Sequence, residues 1–249
     1  MQQYIIGNWK MNGTKAEAQK LATGFLSRIQ KANRPLPHIV LCPSYPYLVP
    51  VIEILKDSPI EVGGQDAHFE KSGAFTGDVS VTQLADVGCK YVIVGHSERR
   101  HYHQESSSII RKKIEASMKL GLRPILCIGE SIEERKAGKA LNVVASQLIS
   151  DLPDSFTPHD LLIAYEPLWA IGSGHVPTLE EVEEIMGLMK HELSARISGS
   201  ALVPTLYGGS VNAQNAPDLL ALPHVDGLLV GGVSLKLDEF WEVINASQR

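Results

Sequence analysis

The chain has no run of apolar residues approaching the roughly 18 that a membrane-spanning helix requires. No basic segment precedes Tyr4-Ile5-Ile6, so no secretory signal is read at the N-terminus. It carries no basic block, and its formal net charge of −5 weighs against a nucleic-acid partner. Cysteine is scarce. Cys42, Cys89 and Cys127 lack metal-ligand spacing, and three thiols cannot all pair. Each has apolar neighbours, which reads as a buried, reduced thiol and fits the cytoplasm. No low-complexity stretch or linker divides the sequence, so residues 1–249 read as one domain. A glycine-rich turn after the first strand, the mark of a dinucleotide-binding open sheet, is missing too. Asn8-Trp9-Lys10 stands in that place.

What is present is a repeated alternation. A hydrophobic content of 44% supports a large core. Short apolar runs occur at Tyr4–Gly7, His38–Cys42, Ile60–Gly64, Tyr91–Val94, Pro124–Ile128, Leu161–Tyr165, Leu202–Tyr207 and Gly227–Val230. Between them, apolar residues recur at helical spacing, as in Ala18, Leu21, Ala22, Phe25 and Ile29. Three capping boxes start helices: Thr14 with Glu17, Ser80 with Gln83, and Thr178 with Glu181. Pro204 is awkward inside a central strand, because it removes a ladder donor. The runs are continuous rather than alternating, which suits parallel strands covered on both faces. Eight strand–helix units, roughly 25–40 residues apart, predict an α/β fold of the (β/α)8 barrel type.

In such a barrel the C-terminal strand ends share one mouth, where chemistry gathers. Asn8, Lys10, Gln65, Asp66, His96, Glu98, Glu130, Glu166 and Ser210 all fall at those ends. Glu166 ends a strand and opens a loop with a stiff start (Pro167, Leu168, Trp169) and a flexible tip (Gly172, Ser173, Gly174). A carboxylate followed by a closing loop is the pattern of a base and its lid. Gly208-Gly209 and Gly231-Gly232 expose backbone N–H groups suited to a phosphate dianion. Taken singly, each has a plain structural reading: a solvated lysine, a structural histidine, a rim carboxylate, a turn. Their convergence on one mouth is the signal. His101 and His103 follow His96 without a carboxylate in a ligand pattern, so no metal site is read there. The segment from Ala67 to Val79 is long for a loop and carries Phe69 and Phe75, which calls for a partner surface.

Eight motifs carry a family resemblance. They are Gly7-Asn8-Trp9-Lys10-Met11-Asn12-Gly13, Gly73-Ala74-Phe75-Thr76-Gly77, Gly95-His96-Ser97-Glu98-Arg99-Arg100, Cys127-Ile128-Gly129-Glu130, Ala164-Tyr165-Glu166-Pro167, Ala170-Ile171-Gly172, Tyr207-Gly208-Gly209-Ser210 and Val230-Gly231-Gly232. In this order, from end to end, they resemble the triosephosphate isomerase family, itself a standard case of tuned acid–base groups. The resemblance implies interconversion of D-glyceraldehyde 3-phosphate and dihydroxyacetone phosphate, without metal or organic cofactor. It implies Glu166 as the base and a neutral His96 as the electrophile. Lys10 would be the cation facing developing charge, with Asn8 a neighbouring donor. Gly172, Ser210, Gly231 and Gly232 would hold phosphate beside Asn8 and Lys10. Ser97 would start the helix that disfavours a charged His96, and Glu98 would pair with Lys10. The lid would run through Pro167, Leu168, Trp169, Ala170, Ile171, Gly172, Ser173, Gly174, His175 and Val176. The family is typically a homodimer, in which the loop at Phe75 and Thr76 would insert into its partner.

Two departures stand out. His175-Val176-Pro177 replaces the family's usual lid end, which implies a stiffer second hinge. Lys190 occupies the place of a family arginine that would pair with Asp226. Two other readings compete: a metal-using sugar-phosphate epimerase or aldolase, and a non-catalytic sugar-phosphate-binding protein. The first needs a ligand set at the mouth. The second would expect loss of Glu166, His96 or Lys10.

Overall fold

The computed structural model describes residues 3–170 and 176–247. Eight parallel strands close into a barrel in sequence order. They are β1 (Tyr4–Asn8), β2 (His38–Cys42), β3 (Ile60–Gly64), β4 (Tyr91–Val94), β5 (Arg123–Ile128), β6 (Leu162–Tyr165), β7 (Thr205–Tyr207) and β8 (Gly227–Val230). β1 pairs with β2 on one side and with β8 on the other, the latter in the register Tyr4 to Gly227 and Gly7 to Val230. That pairing closes the cylinder, so no strand is left with an open edge.

Ten helices are described around it. The longer ones cover the strands: α1 (Lys15–Gln30), α2 (Leu48–Leu55), α5 (Ser107–Lys119), α7 (Ala140–Asp151), α8 (Leu179–Ser194) and α10 (Leu237–Ala246). Shorter ones sit in the connections: α3 (Val81–Asp86), α4 (Ser97–Tyr102), α6 (Ile132–Lys136) and α9 (Ala216–Ala221). Reciprocal capping boxes start α1, α3 and α8 at the residues read from sequence. Each satisfies two backbone donors that a helix start would otherwise leave unpaired, worth about 1 kcal/mol per cap.

The continuous apolar runs have a geometric reason. Alternate residues of every strand point to opposite faces. One set, including Ile6, Val40, Ile93, Ile125, Leu162, Ala164 and Leu229, fills the barrel interior. The other, including Ile5, Leu41, Val92, Leu126, Ile163 and Leu228, packs against the helices. Each such side chain contributes about 1.5–3 kcal/mol on burial. All three cysteines are buried and free. Burial pushes the Cys89 thiol up to about 12 and holds Cys42 higher still, so both remain protonated and inert.

Strand seven is shorter than its apolar run. Ser200–Leu202 form a 3-10 turn, and β7 starts only at Thr205. Pro204 lies just outside it. It needs no donor there, and its carbonyl still accepts from Ile163 N at 3.0 Å. Pro50 falls in the first turn of α2, where a missing N–H is tolerated. Among the described residues, no helix is long and apolar enough to cross a membrane.

Candidate active site

The C-terminal strand ends surround a cavity of about 550 Å³. Its lining includes Asn8 and Lys10 from the β1 end, His96 from β4, Glu166 from β6, Ser210 after β7, and Gly231 and Gly232 after β8. Val176, at the far end of the expected lid, lines it too.

Glu166 follows β6 immediately and is buried. Its Oε1 lies 3.1 Å from His96 Nε2, and its Oε2 accepts from Ser97 N at 3.3 Å. Burial opposes its ionisation. His96 and the Ser97 N–H outweigh that and hold the carboxyl below its ordinary 4.5. It is therefore a carboxylate at neutral pH.

Two glycines make room for it. A Cβ on Gly129 would sit 1.9 Å from the Glu166 carbonyl oxygen, so only glycine lets the β5 end pass so close to β6. A Cβ on Gly208 would meet Glu166 Cγ at 2.9 Å. Both contacts are inside van der Waals range.

His96 is the N-cap of α4, and its Nδ1 accepts from Glu98 N at 3.2 Å. Two influences act on it. Burial disfavours the imidazolium, whereas the charges of Glu166 and Glu98 favour it and shift the balance upward. Hydrogen bonding opposes that shift. A second proton would have to sit on Nδ1, facing the Glu98 N–H at the positive end of a helix. With Nδ1 accepting from the Glu98 N–H, the ring directs its Nε2–H at Glu166, and Glu98 Oε2 lies 3.6 Å from Nδ1.

Lys10 has φ 53°, in the left-handed region, which costs a non-glycine residue about 1–2 kcal/mol. Its Nζ lies 2.6 Å from Glu98 Oε1. Both side chains are partly exposed, so water screens the pair and its partners can exchange. Asn8 is buried at the end of β1 and accepts the Lys10 N–H at 3.0 Å through Oδ1. The Gly231-Gly232 edge is fixed by Ser234, whose N and Oγ donate to Gly231 O at 2.8 and 2.6 Å.

The turn that follows Glu166, where the expected lid would begin, is firmly held. Leu168–Ala170 form a 3-10 turn. Trp169 Nε1 donates to Glu130 Oε1 at 2.9 Å, and Leu168 N donates to Glu130 O at 3.0 Å. Glu130 is fully buried and also accepts from Tyr165 OH at 3.1 Å. The Arg135 guanidinium contacts Glu130 Oε1 at 3.3 Å and lies over the Trp169 ring. Ser210 Oγ donates to Ala170 O at 2.5 Å, joining the end of β7 to this turn. Sequence reasoning placed Glu130 at the mouth without a role. Its signal was a carboxylate at a strand end, and the structure makes it the anchor of the Leu168–Ala170 turn. Ile171, Gly172, Ser173, Gly174 and His175, expected in the lid, lie outside the described residues. Pro177 is buried immediately before the Thr178 cap of α8.

A second cavity of about 490 Å³ adjoins the first. Lys10, Met11, Gln65, Glu98 and His103 are among its lining residues. The loop carrying Phe75 and Thr76 is exposed, and it is folded on His68, whose ring lies 4.1 Å from that of Phe75. Lys190 reaches Asp226 Oδ2 at 2.7 Å and also Val203 O at 2.7 Å. Among the described residues, no group of three or more His, Cys, Asp or Glu could hold a metal ion.

The family model for triosephosphate isomerase matches residues 3–247. A triosephosphate isomerase of Ruegeria sp. is 44% identical over 244 residues, covering 96% of each chain. One from Afipia carboxidovorans is 43% identical over 243 residues, covering 97% of this chain and 96% of its own. The crystal structure of triosephosphate isomerase from Bartonella henselae superposes with a TM-score of 0.91 at 37% identity, covering all of both chains. With barrel, mouth and sequence in agreement over nearly its whole length, this chain belongs to the triosephosphate isomerase family.

Proposed function

We propose that this chain interconverts D-glyceraldehyde 3-phosphate and dihydroxyacetone phosphate by proton transfer through an enediolate, a step shared by glycolysis and gluconeogenesis. The observation that carries this reading is the meeting of Glu166, His96 and Lys10 around one cavity with glycine edges.

The chemistry follows from the contacts. Removing a proton from carbon beside a carbonyl needs a base and stabilisation of the oxygen that gains charge. Glu166 is the base. Its contacts with His96 and Ser97 keep it ionised before substrate arrives. The substrate carbonyl takes the place of Glu166 at His96 Nε2–H. That frees the carboxylate from a group holding its pKa down, and so raises its basicity as the site dries. The proton goes to Glu166 and the electron pair moves to the carbonyl oxygen. His96 donates to that oxygen through Nε2–H, and Lys10 faces the charge. Asn8 positions the Lys10 N–H. His96 gives its Nε2 proton to the carbonyl oxygen and takes up the hydroxyl proton of the adjacent oxygen; Glu166 then returns its proton to the former carbonyl carbon, and the new carbonyl forms on the carbon that first lost the proton. The Gly231-Gly232 edge, Ser210 and Gly172 grip the phosphate, and the lid from Pro167 to Val176 excludes the water that would promote loss of phosphate from the enediolate. None of these steps calls on a metal or organic cofactor.

We further propose that two copies pair. The exposed tip at Phe75 and Thr76 would enter the partner's second cavity beside Lys10 and Glu98. An apolar tip and an open cavity next to the catalytic lysine support this. Residues 1–249 act as one catalytic domain, and three free thiols suit the reducing cytoplasm.

The test is a coupled assay with glyceraldehyde 3-phosphate in the presence of a chelator. Turnover at full rate is expected. A folded protein without turnover would overturn the reading, and turnover abolished by the chelator would favour a metal-using sugar-phosphate enzyme.

A further inference from the structure

We propose that Ser44 and Gln65 are positioning residues for this isomerisation. Together they clamp the carbonyl of Lys10 and hold its backbone in the left-handed conformation that delivers the ammonium to the cavity. The inference rests on Lys10 acting on the substrate anion, as proposed above.

Among the described residues, only Lys10 and Gln104 are non-glycine residues with positive φ. Backbone held in so sparsely populated a region persists only when its surroundings over-determine it. At Lys10 they do, from both sides. The N–H on one side donates to Asn8 Oδ1 at 3.0 Å. The carbonyl on the other accepts from Ser44 Oγ at 2.8 Å and from Gln65 Nε2 at 2.8 Å. A carbonyl oxygen has two lone pairs, and both are filled. The first bond orients the peptide before Lys10, and the other two orient the peptide after it.

Neither clamp residue is an incidental neighbour. Gln65 Nε2 has a second hydrogen, which goes to Cys42 O at 2.8 Å. One amide at the end of β3 thus ties together the ends of β1 and β2. Ser44 precedes the 3-10 turn Tyr45–Tyr47, where a serine hydroxyl commonly accepts a backbone N–H as a cap. Its side chain makes no such bond, and its hydroxyl donates to Lys10 instead.

The clamp bears on chemistry because φ and ψ set the direction of the Cα–Cβ bond. In the ordinary helical or extended regions the Lys10 side chain would leave the backbone on another bearing. Its Nζ, now 2.6 Å from Glu98 Oε1, would lose its place at the cavity. The hydrogen bonds of Gln65 and Ser44 to Lys10 go to its main-chain carbonyl, so they act through Lys10 and are not catalytic residues.

A double-mutant cycle tests this. Ser44→Ala and Gln65→Leu are made in the native enzyme and in a Lys10→Ala background. The readouts are kcat/KM and the inhibition constant of glycerol 3-phosphate, a phosphate monoester without a carbonyl. In the native background, Ser44→Ala should lower kcat/KM about fivefold and Gln65→Leu about tenfold or more, with parallel weakening of the inhibitor. Ser44→Thr, which keeps the hydroxyl, should restore most of the loss. In the Lys10→Ala background both substitutions should cost almost nothing, because the residue they act through is gone. Equal fold-losses in the two backgrounds, or native kcat/KM in Ser44→Ala, would overturn the clamp. Near-native turnover by Lys10→Ala itself would instead strike the role of Lys10, a separate failure. Should Gln65→Leu not fold, Ser44→Ala and Ser44→Thr at the surface loop carry the test alone.

Discussion

The two ends of the barrel use similar chemistry to opposite effect. At the N-terminal floor, Arg123 Nη1 donates to Tyr4 OH at 2.9 Å and to Tyr91 OH at 3.4 Å. Tyr91 OH in turn donates to Glu61 Oε2 at 3.1 Å, and His38 stacks on Tyr4. At the C-terminal mouth, Lys10, Glu98, His96 and Glu166 supply the same kinds of group: a cation, carboxylates and an imidazole. The floor pairs its groups with one another in a layer of aromatic rings, and the guanidinium lies over two of them. The mouth sets its groups at the edge of a cavity, with Glu166 between His96 and the Ser97 N–H and Lys10 against Glu98. On the function proposed above, polar groups near the barrel axis stabilise at the floor and react at the mouth.

The largest effect that would break this contrast is at Glu166. Glu166→Gln keeps the shape and removes the proposed base, so kcat should fall by about 10²–10⁴ while the protein stays folded at neutral pH. Steady-state kinetics beside thermal unfolding would decide it, and turnover within threefold of native would remove Glu166 from its role. At the floor the pattern should invert. Arg123→Met takes hydrogen bonds from two tyrosines and should cost about 1–3 kcal/mol of stability while leaving kcat unchanged. Urea unfolding with activity measured in parallel would show it, and a large loss of kcat at full stability would erase the distinction between the ends.

The smallest effect concerns pH. Glu166 has its folded pKa below the ordinary 4.5, so it contributes stability above the unfolded value and loses it as pH falls through the folded one. The stability advantage of the native chain over Glu166→Gln should therefore be full at neutral pH and shrink once the pH drops below about 4.5. Unfolding free energies at neutral and acid pH would measure it. A constant difference would mean that the carboxylate is not held by its neighbours.

How far the sequence reveals this molecule depends on how local each feature is. The capping boxes at Thr14, Ser80 and Thr178 were legible because both partners lie three residues apart. The strands were legible because a wall buried on both faces must be apolar throughout. The helices α4 and α6 are too short to show an apolar period, and the start of β7 was obscured by an apolar stretch that turns at Pro204. The polar residues of the mouth could be found because each ends an apolar run. Their partnerships could not. Gln65 meets Lys10 across 55 residues of chain, and Glu130 meets Trp169 across 39. Such contacts exist only once the cylinder has closed, and no spacing in the sequence encodes them.

That closure has a consequence for the timing of activity during synthesis. β8 pairs with β1, so the Gly231-Gly232 edge reaches Lys10 only when the last strand has joined the first. A chain emerging from the ribosome carries Lys10 early, His96 and Glu166 in turn, and the glycine edge last. No shorter nascent length can present all of them to one substrate. The enzyme is therefore silent until β8 has been made and paired with β1, and the appearance of activity would report the moment at which the ring is sealed.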